Sequence, residues 1–444
     1  MADKLKKCIL SSTVNIFLCF LLTSTGYFLW MNHLNEFVSA QISDTATTVF
    51  GYLLQAAGIG LYALAVRWRE HANRSIISIA VVAYAAFLVP ASQSHSLVGT
   101  LVFGLAGSLL CGVIAGYYLF DLTVFTHENR RAISFGVGYG AATVVSWLVT
   151  FIRGFYTDGA AIVLCVFLAV CVLALSFFTK HAQERTAEPT AQPALPLKRL
   201  LMMAGALLVL LGIVNSIGFV FQEGEGLEFS RIAYAAGLVA AGIVSDKNRR
   251  YGAICSLAAV IIPFITMALR GEAFSLNVFW SLEYFAFGFY SVYRVMLFSD
   301  MAARYGFLFL SGFGLLFGRI GEAVGSGVSL ALLQQRTALV VVSAVVFVIS
   351  VLLFFGLYRA LYLPQDSVKK SERQIFNEFA AQHDLSPRER EIMKLVLSDK
   401  TNKEMAAILF VSESTVKFHI HNLLKKTGTK TRIELISLYD ETAQ

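Results

Sequence analysis

Charge is scarce in this chain of 444 residues. Charged residues make up 15% of it and hydrophobic residues 57%, whereas a soluble domain is about 25% charged. Between Ser75 and Phe120 there is no Asp, Glu, Lys or Arg. This composition excludes an ordinary soluble protein for most of the chain and indicates an integral membrane protein.

Several chemical signatures are also missing. The six cysteines form no C-x-x-C pair and fall within or beside apolar segments, so the sequence predicts neither a disulfide framework nor a metal site. The chain has no G-x-x-x-x-G-K-S/T loop for a nucleotide and no βα repeat with a phosphoacceptor pocket. We therefore expect no cofactor, no catalysis, and no control by phosphorelay or by ATP.

Long apolar runs fill the first 362 residues. The first run is too long for the hydrophobic region of a signal peptide and lacks a clear cleavage site, so we interpret it as a retained span. Segments long enough to cross a bilayer predict twelve transmembrane helices, at 8–31, 45–66, 75–93, 97–120, 132–152, 159–179, 200–220, 230–245, 251–269, 275–298, 305–333 and 337–362.

Lysine and arginine are distributed unequally between the loops. With the N-terminus inside, most of the loop Lys and Arg residues lie on the inner side, and the outer side carries Arg153, Arg231, Arg270 and Arg336. Positively charged short loops favour the cytoplasm. The sequence therefore predicts a bacterial cytoplasmic (inner) membrane protein, in contact with membrane lipid, whose N- and C-termini are both cytoplasmic.

A polar segment containing several prolines, 180–199, divides the predicted spans six and six. Two six-span bundles, 1–179 and 200–362, joined by a cytoplasmic linker resemble the major facilitator superfamily. The stretch GIVSDKNRR, 242–250, is similar to that superfamily's G-x-x-x-D-R/K-x-G-R-R loop, shortened by one residue. The chain departs from the pattern because the matching first-half loop, 60–74, lacks the aspartate and span four has no arginine.

Charged residues lie deep within two spans of the second half. Glu283 is in span ten, and Arg319 and Glu322 are in span eleven, at depths that allow their side chains to meet. A charge at such depth costs at least about 2.5–3.5 kcal/mol unless it is paired. The three residues are either a structural ion pair or a ligand or proton site. The first half offers no comparable group, and Arg294 is expected to extend toward the inner surface.

Aromatic residues crowd span ten beside Glu283. One interpretation is that they face lipid; the other is that they line a pocket for an apolar or aromatic small molecule. They are Phe285, Phe287, Phe289, Tyr290 and Tyr293.

The pattern changes after a polar tether, 363–384. Boxes of the form S/T-x-x-E predict helix starts at Ser386, Thr401 and Thr431, and Ser412 can cap a further helix that ends at Gly428. The turn between the second and third helices is as short as a helix-turn-helix requires. Apolar residues at helical spacing predict a shared core, namely Ile392, Leu395, Val396, Met405, Ala406, Leu409, Val416, Ile420, Leu423, Ile433, Ile436 and Leu438.

These motifs resemble the LuxR/NarL-type helix-turn-helix domain, matching it as LSPREREIM, TNKEMA, SESTVKFH and KKTG. The resemblance implies binding to double-stranded promoter DNA as a homodimer. It assigns base reading to Lys417, Phe418 and His421, although His421 stands where a lysine is common. It assigns contacts to the DNA backbone to Ser412, Thr415, Asn422 and Lys425, and the local basic charge adds Lys426 and Arg432. It assigns dimerisation to Ile433, Ile436, Ser437 and Asp440.

The sequence thus predicts an all-α protein. A twelve-helix membrane bundle, 6+6 and major-facilitator-like, is followed by a small cytoplasmic four-helix LuxR-type domain at 385–440. One hypothesis is a membrane-embedded one-component transcription regulator with a small-molecule ligand, and with RNA polymerase as a candidate partner. A second is a secondary transporter with a DNA-binding regulatory tail, against which the charge-poor first half argues. A third is a membrane scaffold with a protein-binding tail, against which the base-reading residues argue.

Overall fold

The protein is described from a computed structural model that covers two compact units, Met1–Leu363 and Pro364–Gln444. The residues described are 2–39, 42, 46–68, 73–157, 159–178, 196–219, 230–262, 264, 273–332, 335–362 and 372–443. Helices are the regular secondary structure of these ranges, which contain no β-strand. Most of the predicted linker and the first part of the predicted tether lie outside the described residues.

Twelve α-helices of the first unit, counted over the described ranges, correspond in order to the twelve predicted spans, which confirms the predicted fold class. A short π-helical turn, Ala46–Gly51, precedes α2. The helices are α1 (Ala2–Leu34), α2 (Tyr52–Trp68), α3 (Asn73–Gln93), α4 (Leu97–Phe125), α5 (Glu128–Leu148), α6 (Ala160–Phe178), α7 (Leu197–Phe219), α8 (Ser230–Lys247), α9 (Arg249–Ala259), α10 (Ala273–Tyr305), α11 (Phe313–Ala331) and α12 (Arg336–Tyr362).

Nine helices in the described ranges are long and apolar enough to cross a membrane. The other three are α8, α9 and α10. Helix α9 is short as described, and α8 and α10 carry charged residues along their length, among them Asp246 on α8 and Glu283 and Arg294 on α10. Because polar side chains inside a membrane protein face the bundle interior, the charged residues of α8 and α10 are candidates for functional residues of the bundle.

The two halves of the bundle share one core. A cluster of buried residues from α1–α6 continues into α8, α10 and α11. Close approach between halves depends on small residues. A side chain at Gly136 of α5 would collide with the Leu238 carbonyl of α8, and one at Gly242 of α8 would meet the Ala132 carbonyl of α5. Helices α5 and α8 therefore pack almost backbone to backbone across the boundary.

The expectation that the first half holds no buried ionisable group is wrong. Helix α4 continues to Phe125, beyond the predicted end of its span at 120, so Asp121 lies inside the helix and is 6% exposed. Arg131, near the start of α5, is 4% exposed. A charged residue after an apolar run predicts the end of a span, but burial of that residue against other helices allows the helix to continue past it.

Four charged residues join the halves at one end of the bundle. Arg131 Nη1 donates to Asp300 Oδ1 at 2.6 Å, and Arg249 Nε donates to Asp300 Oδ2 at 2.7 Å. Arg249 also donates to Asp246 at 2.8 Å. The Asp246 carboxylate accepts the backbone N–H groups of Ala132 and Ile133 in the second turn of α5. Asp246, in the stretch that resembles the superfamily loop, therefore ties α8 to α5.

The second unit contains five described helices, α13 (Glu372–Gln382), α14 (Pro387–Leu397), α15 (Asn402–Leu409), α16 (Glu413–Thr427) and α17 (Arg432–Ala443). The capping boxes predicted at Ser386 and Thr401 are both formed, and Ser412 caps α16. Gly428 ends α16 in the left-handed region at φ 72°. Helix α13 contributes Phe376 and Phe379 to the core, so it packs as part of the unit.

One predicted core position is wrong. Ile433 is 78% exposed, whereas Leu435 of the same helix is fully buried. Ile436 and Leu438, the other two predicted positions on this helix, are partly buried against the core, so Ile433 alone of the three falls on the exposed side of α17. Since two isoleucines and two leucines lie within six residues of this helix, composition alone does not distinguish its faces.

Candidate nucleic-acid interface and buried charge cluster

The helix-turn-helix is built from α15 and α16. Phe410 ends α15 in the left-handed region, with φ 54°, and reverses the chain within the turn. Ser412 then accepts the Thr415 N–H at 3.1 Å, which starts α16. Buried Met405 on α15 and Val416 on α16 belong to the same core. The angle between the two helices is therefore set by a tight turn, a side-chain cap and shared packing.

One face of α16 presents the residues predicted to read bases. Lys417, Phe418, His421 and Lys425 are exposed, while Asn422 is half-buried. Spacings of one, four and eight residues place these side chains along one exposed stripe. Phe418 is 61% exposed, which is unusual for a large aromatic residue, and its ring contacts that of the neighbouring His419. The stripe can offer a cation, a ring and an imidazole to a DNA groove.

Two of the residues predicted to bind DNA phosphates, Lys426 and Arg432, make hydrogen bonds within the unit itself. Lys426 Nζ donates to Glu389 Oε2 and to the Asp384 carbonyl, both at 2.8 Å. Arg432 donates to the Lys400 carbonyl. Each of these contacts links helices that are distant in sequence. Lys417 and Lys425 are therefore better placed than Lys426 or Arg432 to bind DNA. Contacts between these residues and the DNA backbone stay predictions.

Glu389 is a buried carboxylate at the start of α14, 4% exposed. Desolvation raises its pKa, but hydrogen bonds from Lys426 and from Ser386 outweigh that effect and hold the pKa below the ordinary value. The carboxylate also completes the capping box by accepting the Ser386 N–H at 2.7 Å. A residue predicted only as a helix cap therefore also anchors α16 through Lys426.

Helix α17 leaves a free face within the described chain. Ile433, Ser437 and Asp440 are exposed at spacings of four and three residues, and Ile436 is half-buried against the core. An exposed isoleucine in line with polar residues is typical of a modest contact surface. The four residues predicted for dimerisation thus include three on one exposed stripe.

Arg294, Arg319 and Glu322 form a buried charge cluster in the bundle. Arg294 Nη1 donates to Glu322 Oε1, and Arg319 Nη1 donates to Glu322 Oε2 at 2.8 Å. The expectation that Arg294 extends toward the membrane surface is wrong, since it is 2% exposed. The reason is local packing. Gly314 and Gly318 let α11 approach α10 so closely that the arginine fills the space beside Gly318.

Glu283 does not belong to the same layer of the bundle as Arg294. It is buried, 2% exposed, and it precedes Arg294 by eleven residues on α10. At about 1.5 Å per residue that places it about 16 Å away along the helix. The partner of Arg319 in the cluster is Glu322, as the sequence suggested, but the third member is Arg294.

Aromatic rings surround the charge cluster. The Arg294 guanidinium lies 5.1 Å from the Tyr290 ring centre and 5.8 Å from that of Phe287. Arg319 lies 4.2 Å from the ring centre of Tyr52, on α2 of the first half. Cations gain energy over aromatic faces, and more when water is excluded. The aromatic residues of α10 therefore include some that line the interior around the arginines.

Comparison with known proteins identifies the second unit. Residues 383–439 match the family model described as bacterial regulatory proteins, luxR family. The spore germination protein GerE of Bacillus subtilis is 46% identical over 59 residues, which are 13% of this chain and 80% of that protein. Through its C-terminal helix-turn-helix domain, the chain belongs to the luxR family of bacterial regulatory proteins.

Two longer relatives share only this domain with the chain. The nitrate/nitrite response regulator NarL of Escherichia coli is 48% identical over 50 residues, 11% of this chain and 23% of NarL. The uncharacterized response regulatory protein YgeK of Escherichia coli is 39% identical over 71 residues, 16% of this chain and 48% of YgeK. The chain spans half or less of these two proteins.

The first unit has a structural relative of a different kind. The crystal structure of the human organic anion transporter MFSD10 (TETRAN) superposes with a TM-score of 0.57 at 13% sequence identity. The superposition covers 78% of this chain and 99% of that one. At this identity the likeness concerns the fold, and it supports the major-facilitator-like architecture predicted for the bundle.

The α16 stripe leads to a prediction about DNA binding. Lys417→Ala should reduce discrimination between target and random DNA, because a lysine bound to a guanine edge contributes about 1–3 kcal/mol. Lys425→Ala should weaken binding to all sequences alike and flatten its salt dependence. Titration of a fragment comprising residues 364–444 against both duplexes at several salt concentrations measures this. Unchanged discrimination after Lys417→Ala would remove α16 as the reading helix.

Proposed function

We propose that this protein is a membrane-embedded one-component transcription regulator. Its C-terminal unit binds promoter DNA, and its twelve-helix bundle responds to a small molecule and controls that binding. The observation that carries the proposal is the exposed stripe of Lys417, Phe418, His421 and Lys425 on α16, in a chain that begins with a membrane bundle. A signal received by the bundle can reach the DNA-binding unit through one covalent chain, without a phosphorelay partner.

The proposal includes a location. Both termini are cytoplasmic and the bundle lies in the bacterial inner membrane, as the loop charges favour. The charged residues Arg131, Asp246, Arg249 and Asp300, which join the halves, would then lie at the cytoplasmic end. Promoter DNA is bound at the inner membrane surface, where the unit can also meet RNA polymerase.

A second candidate is a working transporter with a regulatory tail. The argument against it was the absence of buried ionisable groups in the first half, and buried Asp121 removes that argument. Intramembrane carboxylates commonly serve proton relays in transporters. The two candidates differ in whether net movement of a solute accompanies the transcriptional response.

A genome-wide map of DNA bound in cells by the tagged full-length protein tests the main proposal. We expect discrete peaks upstream of genes, lost in Lys417→Ala and kept in Lys394→Ala, an exposed lysine of α14 outside the helix-turn-helix. Membrane levels of the three proteins should be equal. Random coverage in the wild type would refute DNA-directed function, and solute uptake that survives Lys417→Ala would favour the transporter.

We further propose that the DNA-bound form is a homodimer paired through α17, because a single such domain buries little surface on DNA. Ile433→Asp should then lower affinity for a site with two inverted half-sites by roughly a hundredfold, the scale of lost avidity. Binding to an isolated half-site is the control and should be unchanged, since Ile433 is 78% exposed in the monomer. Equal losses on both DNAs would place Ile433 in the DNA contact instead.

A further inference from the structure

Among the residues that the structure describes, the buried charge cluster carries one positive charge in excess. Two guanidinium groups face one carboxylate, with Arg294 2% exposed, Glu322 4% exposed, and the Arg319 side chain 15% exposed. Arginine keeps its charge in proteins, and a charge in the membrane interior is costly unless it is paired. The cluster is therefore electrically complete only when a further negative charge joins it.

The two arginines also offer more hydrogen-bond donors than Glu322 can accept. Each guanidinium has five N–H donors, whereas a carboxylate has about four acceptor sites. Nε of Arg294 and Nε of Arg319 are buried, and neither donates to an acceptor among the residues that the structure describes. Arginine binds carboxylates through two parallel N–H bonds. A second carboxylate is the group that fits these donors.

The rings around the cluster indicate the body of such a molecule. Tyr290 and Phe287 lie against Arg294. Tyr234 lies 5.4 Å from Phe287, and Tyr139 lies 6.3 Å from Tyr234, between ring centres. The rings thus run from α10 through α8 to α5 in the other half. A molecule held here by its carboxylate would place its body against aromatic faces, which suit an aromatic or apolar group.

The cluster also lies where binding of a ligand can change the arrangement of the two halves of the bundle. Arg294 lies about 16 Å from the end of α10 at Tyr305, and Arg319 and Glu322 lie about 9 and 14 Å from the start of α11. Measured from those helix ends, the three positions lie between about a third and half of the way across a bilayer core about 30 Å thick. Arg319 touches Tyr52 of the first half, so a ligand here favours whichever arrangement of the halves binds it more tightly.

From the excess positive charge, the N–H donors unpaired among the described residues, the surrounding aromatic rings and the depth of the cluster in the bundle, we infer that this cluster binds a small organic monoanion. The anion is a carboxylate with an aromatic or apolar body. Arg319 and Arg294 hold the carboxylate, Glu322 positions both arginines, and the rings contact the body. This inference rests on the proposed function, because it names the class of molecule to which the bundle responds. Binding itself can be measured without reference to DNA.

The test uses the purified full-length protein in detergent, with thermal unfolding followed by tryptophan fluorescence. The probes are benzoate, phenylacetate and hexanoate, each compared with its neutral amide at neutral pH and equal chloride concentration. We expect the carboxylates to raise the unfolding midpoint with concentration and the amides to leave it unchanged. Arg319→Gln should weaken the apparent affinity roughly ten- to a hundredfold, the range for a hydrogen bond to a charged group.

Arg319→Gln keeps the neutral Arg294–Glu322 pair, so we expect it to fold. Arg319→Lys is the second variant, which keeps the charge, loses the fork of donors and should bind with intermediate affinity. Arg231→Gln is the control, because Arg231 also lies near aromatic rings, those of Phe28 and Tyr284, but outside the cluster. It should respond to carboxylates as the wild type does.

Equal effects of carboxylates and amides would overturn the inference, and so would a wild-type response in Arg319→Gln. A response to chloride alone as large as that to benzoate would replace the organic anion with an inorganic one. If carboxylates bind but promoter occupancy never changes with them, the anion site is supported and the proposed sensing function is refuted. If promoter occupancy responds only to uncharged compounds, the proposed regulatory function is supported and the anion site is refuted.

Discussion

Replacing Phe379 with alanine is expected to destabilise the C-terminal unit severely. Phe379 is fully buried in the core, with its ring centre 5.4 Å from that of Tyr439 on α17. Truncating a buried phenylalanine costs about 3–5 kcal/mol, from lost burial and from the cavity left behind. A small domain has a total stability of about 5–15 kcal/mol. The substitution therefore removes a large share of what keeps the DNA-binding unit folded.

Thermal unfolding of a fragment comprising residues 364–444, followed by circular dichroism, measures the loss. Phe418→Ala is the matched control, because the same change at a residue 61% exposed should alter stability by no more than about 0.5 kcal/mol. DNA binding should weaken in both variants, through loss of folded protein in one and through loss of a contact in the other. A Phe379→Ala fragment as stable as the wild type would show that α13 is not needed for the fold.

Helix starts in the C-terminal unit could be predicted because they depend on local chemistry. Ser386 and Thr401 each bond to a glutamate three residues later, and such boxes are readable in a single stretch of sequence. The second role of Glu389, its ion pair with Lys426, could not be read in this way. It joins residues 37 positions apart, and only the packing of α14 against α16 brings them together.

The transmembrane spans were also predictable, since apolar length is a direct consequence of bilayer thickness. The charged residues of the bundle were harder to place. Span four is predicted to end at 120, just before Asp121, and Arg294 is expected to extend toward the inner surface, as though each helix stood alone in lipid. The structure buries Asp121 by extending α4, and it buries Arg294 by bringing α10 against glycines of α11. Neither effect is encoded in hydropathy.

Glu322→Gln should be the most damaging single change in the bundle. It removes the carboxylate that faces both Arg294 and Arg319 while keeping the size of the side chain. Loss of one partner from a buried ion pair costs about 3–5 kcal/mol, because the remaining charges are uncompensated. Here two guanidinium groups would remain side by side and repel each other. We expect a large fall in the unfolding temperature of the full-length protein in detergent, together with lower membrane levels.

Two further variants separate charge from packing. Glu36→Gln is the control, since Glu36 is an exposed carboxylate beside His33 and its loss should have little effect. The double variant Arg294→Gln with Glu322→Gln removes one charge of each sign, so it should be more stable than Glu322→Gln alone. If Glu322→Gln is as stable as the wild type, Glu322 is not what balances the arginines. The excess charge at the cluster would then have to be compensated by another group, and the case for an anionic ligand would weaken with it.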